Sequence, residues 1–223
     1  MQVRNLSFRF GDKLIFSGVD MDFPMGTVTG IVGKNGVGKT TFFRTLKGLN
    51  KSDSGSITMK EMELSGNSIG FLPTQPYFYP YMKAKEYLEL VLAEKDGFQD
   101  LAELFELPLD ELVQNYSTGM QKKLAFAGIL GLEKRIQILD EPFNGVDLQS
   151  NVTISRMLTL EKESKVILVS SHMLDSMLTL CDRIYYIEEG FQHTLYNKSE
   201  YSQLQAHIEQ TIDEQLAIYL GKH

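Results

Sequence analysis

A single cysteine among 223 residues has no partner within the chain, which excludes an internal disulfide framework and suits a reducing compartment. Positive charge is also short, with 22 Lys and Arg against 29 Asp and Glu and a formal net charge of −7. A nucleic-acid binder needs a basic face for phosphate, so nucleic acid is not expected as a partner. Apolar runs such as LAFAGILGL at 124–132 fall far short of the ~20 residues that cross a bilayer. The opening MQVRNLSFRF alternates apolar and polar residues, where a signal peptide would carry a continuous apolar core. No Pro-, Gly- or Ser-rich tract marks a linker, and no repeat or low-complexity segment stands out. These absences lead to the expectation of a soluble, acidic, cytoplasmic chain with room for one large domain or two small ones.

What is present begins with strands. Leu6, Phe8 and Phe10 alternate with polar neighbours, as do Val19, Met21 and Phe23. TVTGIV (27–32) reads as a buried strand, followed by a Gly-rich turn and a helix from about Lys39 to Gly48. SIGFL (68–72) reads as a further strand, and residues from about 81 to 132 as helical throughout. Buried strands are then expected at 136–139, 166–170 and 183–189, with helices between them. Leu204, Ile208, Ile212, Leu216 and Leu220 recur every four residues, a stripe expected to pack a closing helix onto the body, with partner contact as the alternative. Strands alternating with helices imply an α/β sheet.

Two motifs carry chemistry. Gly33-Lys34-Asn35-Gly36-Val37-Gly38-Lys39-Thr40 fits the phosphate-loop pattern GxxxxGK[ST], and it lies between an expected strand and helix, as that motif requires. Glycines let the backbone wrap the phosphates, and the helix N-terminus supplies a positive field. Lys39 would reach the β- and γ-phosphates, Thr40 would place its hydroxyl on Mg²⁺, and Thr41 follows in the same turn. IQILDEP (136–142) sets Asp140 and Glu141 at the C-terminal end of a buried strand, where α/β sheets bind ligands. Asp140 could hold Mg²⁺, and Glu141 could orient and deprotonate an attacking water. Up to this point the residues describe only a nucleoside triphosphatase.

YSTGMQKKL (116–124) narrows the class, because it resembles the LSGGQ signature of the ATP-binding cassette (ABC) family. Ser117 and Gly119 match its serine and second glycine, while Thr118 and Met120 depart from its first glycine and its glutamine. The resemblance extends over nearly the whole chain. Gln75 looks like the Q-loop glutamine, which senses Mg²⁺ and the attacking water. Phe10, 23 residues before Gly33, stands where the family has an aromatic that stacks on adenine, with a strand-core role as its rival. Asn144-Gly145-Val146-Asp147 resembles the D-loop. His172, 31 residues past Glu141, resembles the switch histidine that contacts the γ-phosphate.

The resemblance implies a P-loop NTPase fold with a mostly parallel core sheet, an N-terminal antiparallel β subdomain and an inserted helical subdomain. As one ABC domain over residues 1–223, the core and β subdomain would take about 1–80 and 133–223, and the helical subdomain about 81–132. It also implies ATP and Mg²⁺, and a head-to-tail dimer in which Ser117 and Gly119 serve the other subunit's ATP. A separate membrane permease would hold the ATPase on the inner face of the cell membrane. Tyr77, Phe78, Tyr79 and Tyr81 lie where the family receives a permease helix, and packing at the joint of the helical block is the alternative for each ring. A chromosome-type relative would need a long coiled coil, but only 42 residues separate Gln75 from Ser117. A translation-type relative would carry two cassettes. The signature variant leans towards an exporter, and a regulatory or immunity ATPase that uses ATP as a dimerisation switch stays open.

Overall fold

The computed structural model describes residues 1–92 and 98–220. Two sheets form its frame. Strands β1 (Gln2–Phe10), β2 (Lys13–Asp22), β4 (Ser54–Met59) and β5 (Met62–Glu63) make an antiparallel sheet in the order β2-β1-β4-β5. The second sheet runs β10-β9-β3-β8-β7-β6, from β3 (Thr27–Gly33), β6 (Ile69–Leu72), β7 (Ile136–Asp140), β8 (Val166–Ser171), β9 (Arg183–Ile187) and β10 (His193–Asn197). Its first five members by sequence pair in parallel, and β10 adds an antiparallel edge.

The near-continuous apolar strands follow from burial on both faces. Along β8, Val166 and Leu168 face one core with Phe16, Phe23 and Phe42, while Ile167 and Val169 face the other with Leu124 and Phe126. Period-two alternation thus feeds two hydrophobic layers from one strand. Helix α1 (Lys39–Leu46) packs in the first layer through Phe42, Phe43 and Leu46. The helical block consists of α2 (Ala84–Leu92), α3 (Phe98–Leu104) and α4 (Thr118–Gly131). The α4 residues from Lys122 to Leu130 are buried all round, as befits a helix enclosed by its neighbours. Helices α5 (Leu148–Glu161), α6 (Leu174–Leu180) and α7 (Tyr201–Leu220) complete the chain.

Three expectations need correction. The block at 81–132 is not helical throughout: Glu106 takes a left-handed φ of 53°, Pro108 follows, and the chain returns to α4 as a loop. That loop receives backbone N–H groups from the start of α2, Ala84 donating to the Glu111 carbonyl at 3.1 Å and Lys85 to the Leu109 carbonyl at 3.0 Å. The part of that helical expectation at 93–97 lies outside the described residues. Strands β4, β5 and β10 were not expected, because their polar, half-exposed residues lack a clean apolar alternation. The closing stripe also divides. Leu204 is fully buried and Ile208 half-buried, but Ile212, Leu216 and Leu220 are 47%, 51% and 69% exposed. Twenty residues of helix span about 30 Å, whereas the five-residue β9 and β10 beneath offer only about 17 Å, so the helix overhangs its support.

Candidate active site

The C-terminal ends of β3, β6, β7 and β8 meet at one edge of the parallel sheet, the edge where such sheets take ligands. The phosphate loop leaves β3 there and enters α1 through Gly38, whose φ of 111° is accessible to glycine. A Cβ on Gly38 would also lie 3.0 Å from Ile15 and 3.1 Å from Phe191, so a side chain there would have to displace both. The loop borders a hollow of about 330 Å³ lined by Asn35, Gly36, Gly38, Lys39, Thr40 and Thr41, together with Thr74, Glu141, Asn144 and His172. Lys39 Nζ donates to the carbonyls of Gly33 at 2.7 Å and Lys34 at 3.1 Å, and lies 4.0 Å from Glu141 Oε1. Burial pulls its pKa below the ordinary lysine value, and the charges of Glu141 and Asp140 oppose that shift. Val37 is half-buried against the aromatic core layer.

Beneath the loop, Asp140 is 1% exposed and anchors a polar cluster. Its Oδ2 accepts Thr40 Oγ1 at 2.7 Å and Thr74 Oγ1 at 2.6 Å, while Ser170 Oγ donates to Oδ1 at 2.5 Å. Ser170 Oγ also accepts the Glu141 N–H at 3.0 Å. Glu141 itself has a left-handed φ of 52°, and its Oε2 lies 2.9 Å from His172 Nδ1. Among the described residues no group of three His, Cys, Asp or Glu side chains could cage a metal. One carboxylate with hydroxyls around it instead fits a cation such as Mg²⁺, which keeps water and draws ligands from substrate phosphates.

Not every residue singled out in the sequence meets here. Gln75 does not line the hollow; the chain bends at Thr74 and Gln75 after β6 ends, and Thr74 takes the place beside Asp140. Gln75 instead borders a neighbouring hollow of about 410 Å³ with Arg44, Tyr77 and Tyr87. Phe10 is 55% exposed and meets Phe8 edge-on at 4.7 Å, which excludes the strand-core role and leaves the ring at the surface. Ser117 caps α4, its hydroxyl accepting the Met120 N–H at 3.2 Å, and both it and Gly119 lie outside the hollow. Asp147 caps α5 by accepting Ser150 N–H at 2.8 Å and Ser150 Oγ at 2.7 Å, bonds that hold its carboxyl below the usual range. Thr74, Ser170 and Lys122 escaped the sequence reading. A lysine pair directly ahead of the apolar run of α4 was the legible signal for the last.

The sequence profile of the family described as ABC transporter matches residues 16–144. The chain belongs to this family. It is an ABC ATPase, the ATP-binding subunit of a transporter. It is 31% identical over 205 residues to the uncharacterized ABC transporter ATP-binding protein YdbJ of Bacillus subtilis, covering 85% of this chain and 67% of that protein. The Nod factor export ATP-binding protein I of Burkholderia orbicola is also 31% identical, over 84% of this chain and 67% of its own length. The aliphatic sulfonates import ATP-binding protein SsuB 1 of Mesorhizobium japonicum is 30% identical, over 82% and 73%. Among solved structures, a dimeric ATP-binding cassette in a post-hydrolysis state with ADP and Pi superposes with a TM-score of 0.78 at 21% identity, covering 88% of this chain and 98% of that one. That likeness speaks for the fold, a P-loop cassette with one antiparallel and one mostly parallel sheet.

Proposed function

We propose that this ABC ATPase drives an export-type transporter whose membrane-spanning permease is a separate chain, and that it works as a head-to-tail dimer on the inner face of the membrane. The hydrolytic reading rests on one observation, the Glu141–His172 couple at 2.9 Å on the rim of the phosphate-loop hollow. Glu141 takes the proton of the attacking water, and His172 holds that carboxylate and faces the terminal phosphate. Lys39 compensates the phosphate charge. Asp140, Thr40 and Thr74 would hold Mg²⁺, which would neutralise charge on the β- and γ-phosphates. Phe10 offers a ring to the adenine, while Ser117 and Gly119 face the partner subunit's nucleotide. This intact couple disfavours a protein that uses ATP only as a clamp.

The permease reading rests on the segment after Thr74. Tyr77, Tyr79 and Tyr81 are exposed, Tyr77 lining the 410 Å³ hollow and meeting Tyr79 edge-on at 5.6 Å, whereas Phe78 packs on Tyr87 at 4.8 Å. Three exposed aromatics within five positions, one of them at a hollow, suit an anchor for a partner helix. Among the described residues no helix is long and apolar enough to cross a membrane. The export direction rests on the Ser-Thr-Gly-Met signature and the short helical block, since an exporter's and an importer's subunit resemble the chain almost equally. Replacing Tyr79 and Tyr81 by Ala in cells should release the protein from membranes while leaving its ATPase rate unchanged. Full membrane retention by the double variant would sink the docking idea, and the partner that co-purifies with the native chain reports the direction.

A further inference from the structure

Lysine is an expensive choice inside α4. From Leu124 to Leu130 this helix buries only apolar or small residues, yet Lys122 is 5% exposed, one turn after the exposed Ser117–Thr118 start. An ammonium taken out of water needs strong partners, and an apolar side chain would have cost nothing of the kind. Its Nζ donates to the main-chain carbonyl of Glu141 at 2.9 Å. Burial lowers its pKa, while the charges of Glu141 and Asp140 favour the ammonium form.

The peptide it holds is unusual. Glu141 is in the left-handed region, which a residue with a side chain occupies only when its surroundings fix it there. Three bonds do so: its N–H to Ser170 Oγ at 3.0 Å, and its carbonyl to Lys122 Nζ and to the Asn144 N–H at 3.3 Å. Of the three, only Lys122 comes from the helical block. Two further contacts run alongside. Lys123 Nζ lies 3.7 Å from Asp147 Oδ2, and a Cβ on Gly119 would come within 2.7 Å of the Gly145 carbonyl. The first turns of α4 therefore grip the Glu141–Asp147 segment along its length.

We propose that Lys122 is a positioning residue for Glu141, its ammonium fixing the backbone from which the reacting carboxylate projects and fastening the signature helix to the catalytic strand end of the same chain. The inference rests on the hydrolytic reading above. In a head-to-tail dimer it gives a physical route by which a chain's signature, engaged on its partner's nucleotide, orders its own Glu141.

Lys122→Met keeps an unbranched side chain one atom shorter and removes the donor. Loss of orientation at a reacting group lowers kcat about ten- to a hundredfold, with KM for ATP within about twofold of the native value. The Asn144 amide should exchange hydrogen faster, while the amides of β3 and β8 keep their native rates. A native kcat in Lys122→Met overturns the proposal, and so does unchanged exchange at Asn144. A kcat loss accompanied by faster exchange throughout the sheets assigns Lys122 a purely structural role and also overturns it. Native protein without ATPase activity would defeat the hydrolytic reading and this inference together; active native protein matched by equally active Lys122→Met defeats this inference alone.

Discussion

The phosphate-loop hollow and the signature end of α4 use similar groups, hydroxyls and main-chain amides at a helix N-terminus, yet the fold finishes them differently. In the hollow, Asp140 has three hydroxyl donors, Lys39 has two carbonyls and Glu141 has His172, all from one chain. At the signature, Ser117 and Thr118 are exposed, and the Ser117 hydroxyl serves its own helix as a cap, accepting the Met120 N–H. One region is furnished with partners from its own chain; the other lies open at the surface. The difference teaches that one fold can surround the groups of one helix N-terminus with its own side chains and leave those of another exposed.

The largest effect should come from the complete region. Glu141→Gln removes the proposed base while keeping shape and hydrogen-bonding reach, so ATP turnover should fall by about 10²- to 10⁴-fold. Nucleotide affinity, measured by titration calorimetry, should stay near native because Lys39 and the loop amides are untouched. A Glu141→Gln protein that hydrolyses ATP at the native rate would remove the general-base assignment. It would also break the contrast, since the hollow would then lack its decisive group.

A change at the signature should act differently. Gly119→Asp puts a side chain where a Cβ would already meet the Gly145 carbonyl at 2.7 Å, and adds a negative charge where the proposed dimer brings in the partner's phosphates. ATP binding to dilute monomer should survive, whereas ATP-driven dimerisation in a Glu141→Gln background should be lost, as light scattering would show. The steady-state rate should drop about ten- to a hundredfold through loss of a positioned group. Native activity should also rise with protein concentration; a rate per chain that is independent of concentration would mean that one chain suffices.

The same contrast explains what the sequence disclosed. Gly33–Thr40 and Asp140-Glu141 were legible because phosphate wrapping and a carboxylate at a strand end impose fixed residue types at fixed spacing. Thr74 and Ser170 were not, since a hydroxyl beside Asp140 could come from any segment the topology brings there, and only the order β7 between β6 and β8 selects these two. Gln75 illustrates the opposite case: the motif singled it out, but the side chain one position earlier lines the hollow and bonds Asp140. For the fold, apolar runs announced the parallel strands, while β5 and β10 stayed hidden because an edge strand need not be apolar. Periodicity showed that α7 was amphipathic. It carried no information about how far the surface beneath extends.

That last point yields the smallest expected effect. Tyr201 donates to the Cys181 carbonyl at 2.9 Å, Leu204 is fully buried, and His207 lies against Tyr186, so the first half of α7 is fastened to the core. Leu204→Ala should cost about 2–5 kcal/mol in thermal or denaturant unfolding. Ile212 sits two turns further along the same stripe at 47% exposure, and Ile212→Asp should change stability by no more than about 0.5 kcal/mol. The two positions share one sequence pattern and differ only in whether the sheet lies beneath them. If Ile212→Asp were as damaging as Leu204→Ala, the distal half of α7 would have to be packed in solution, and the overhang would belong with the buried regions of the chain. A negligible effect would leave it as surface, amphipathic by sequence but unsupported by the short strands below.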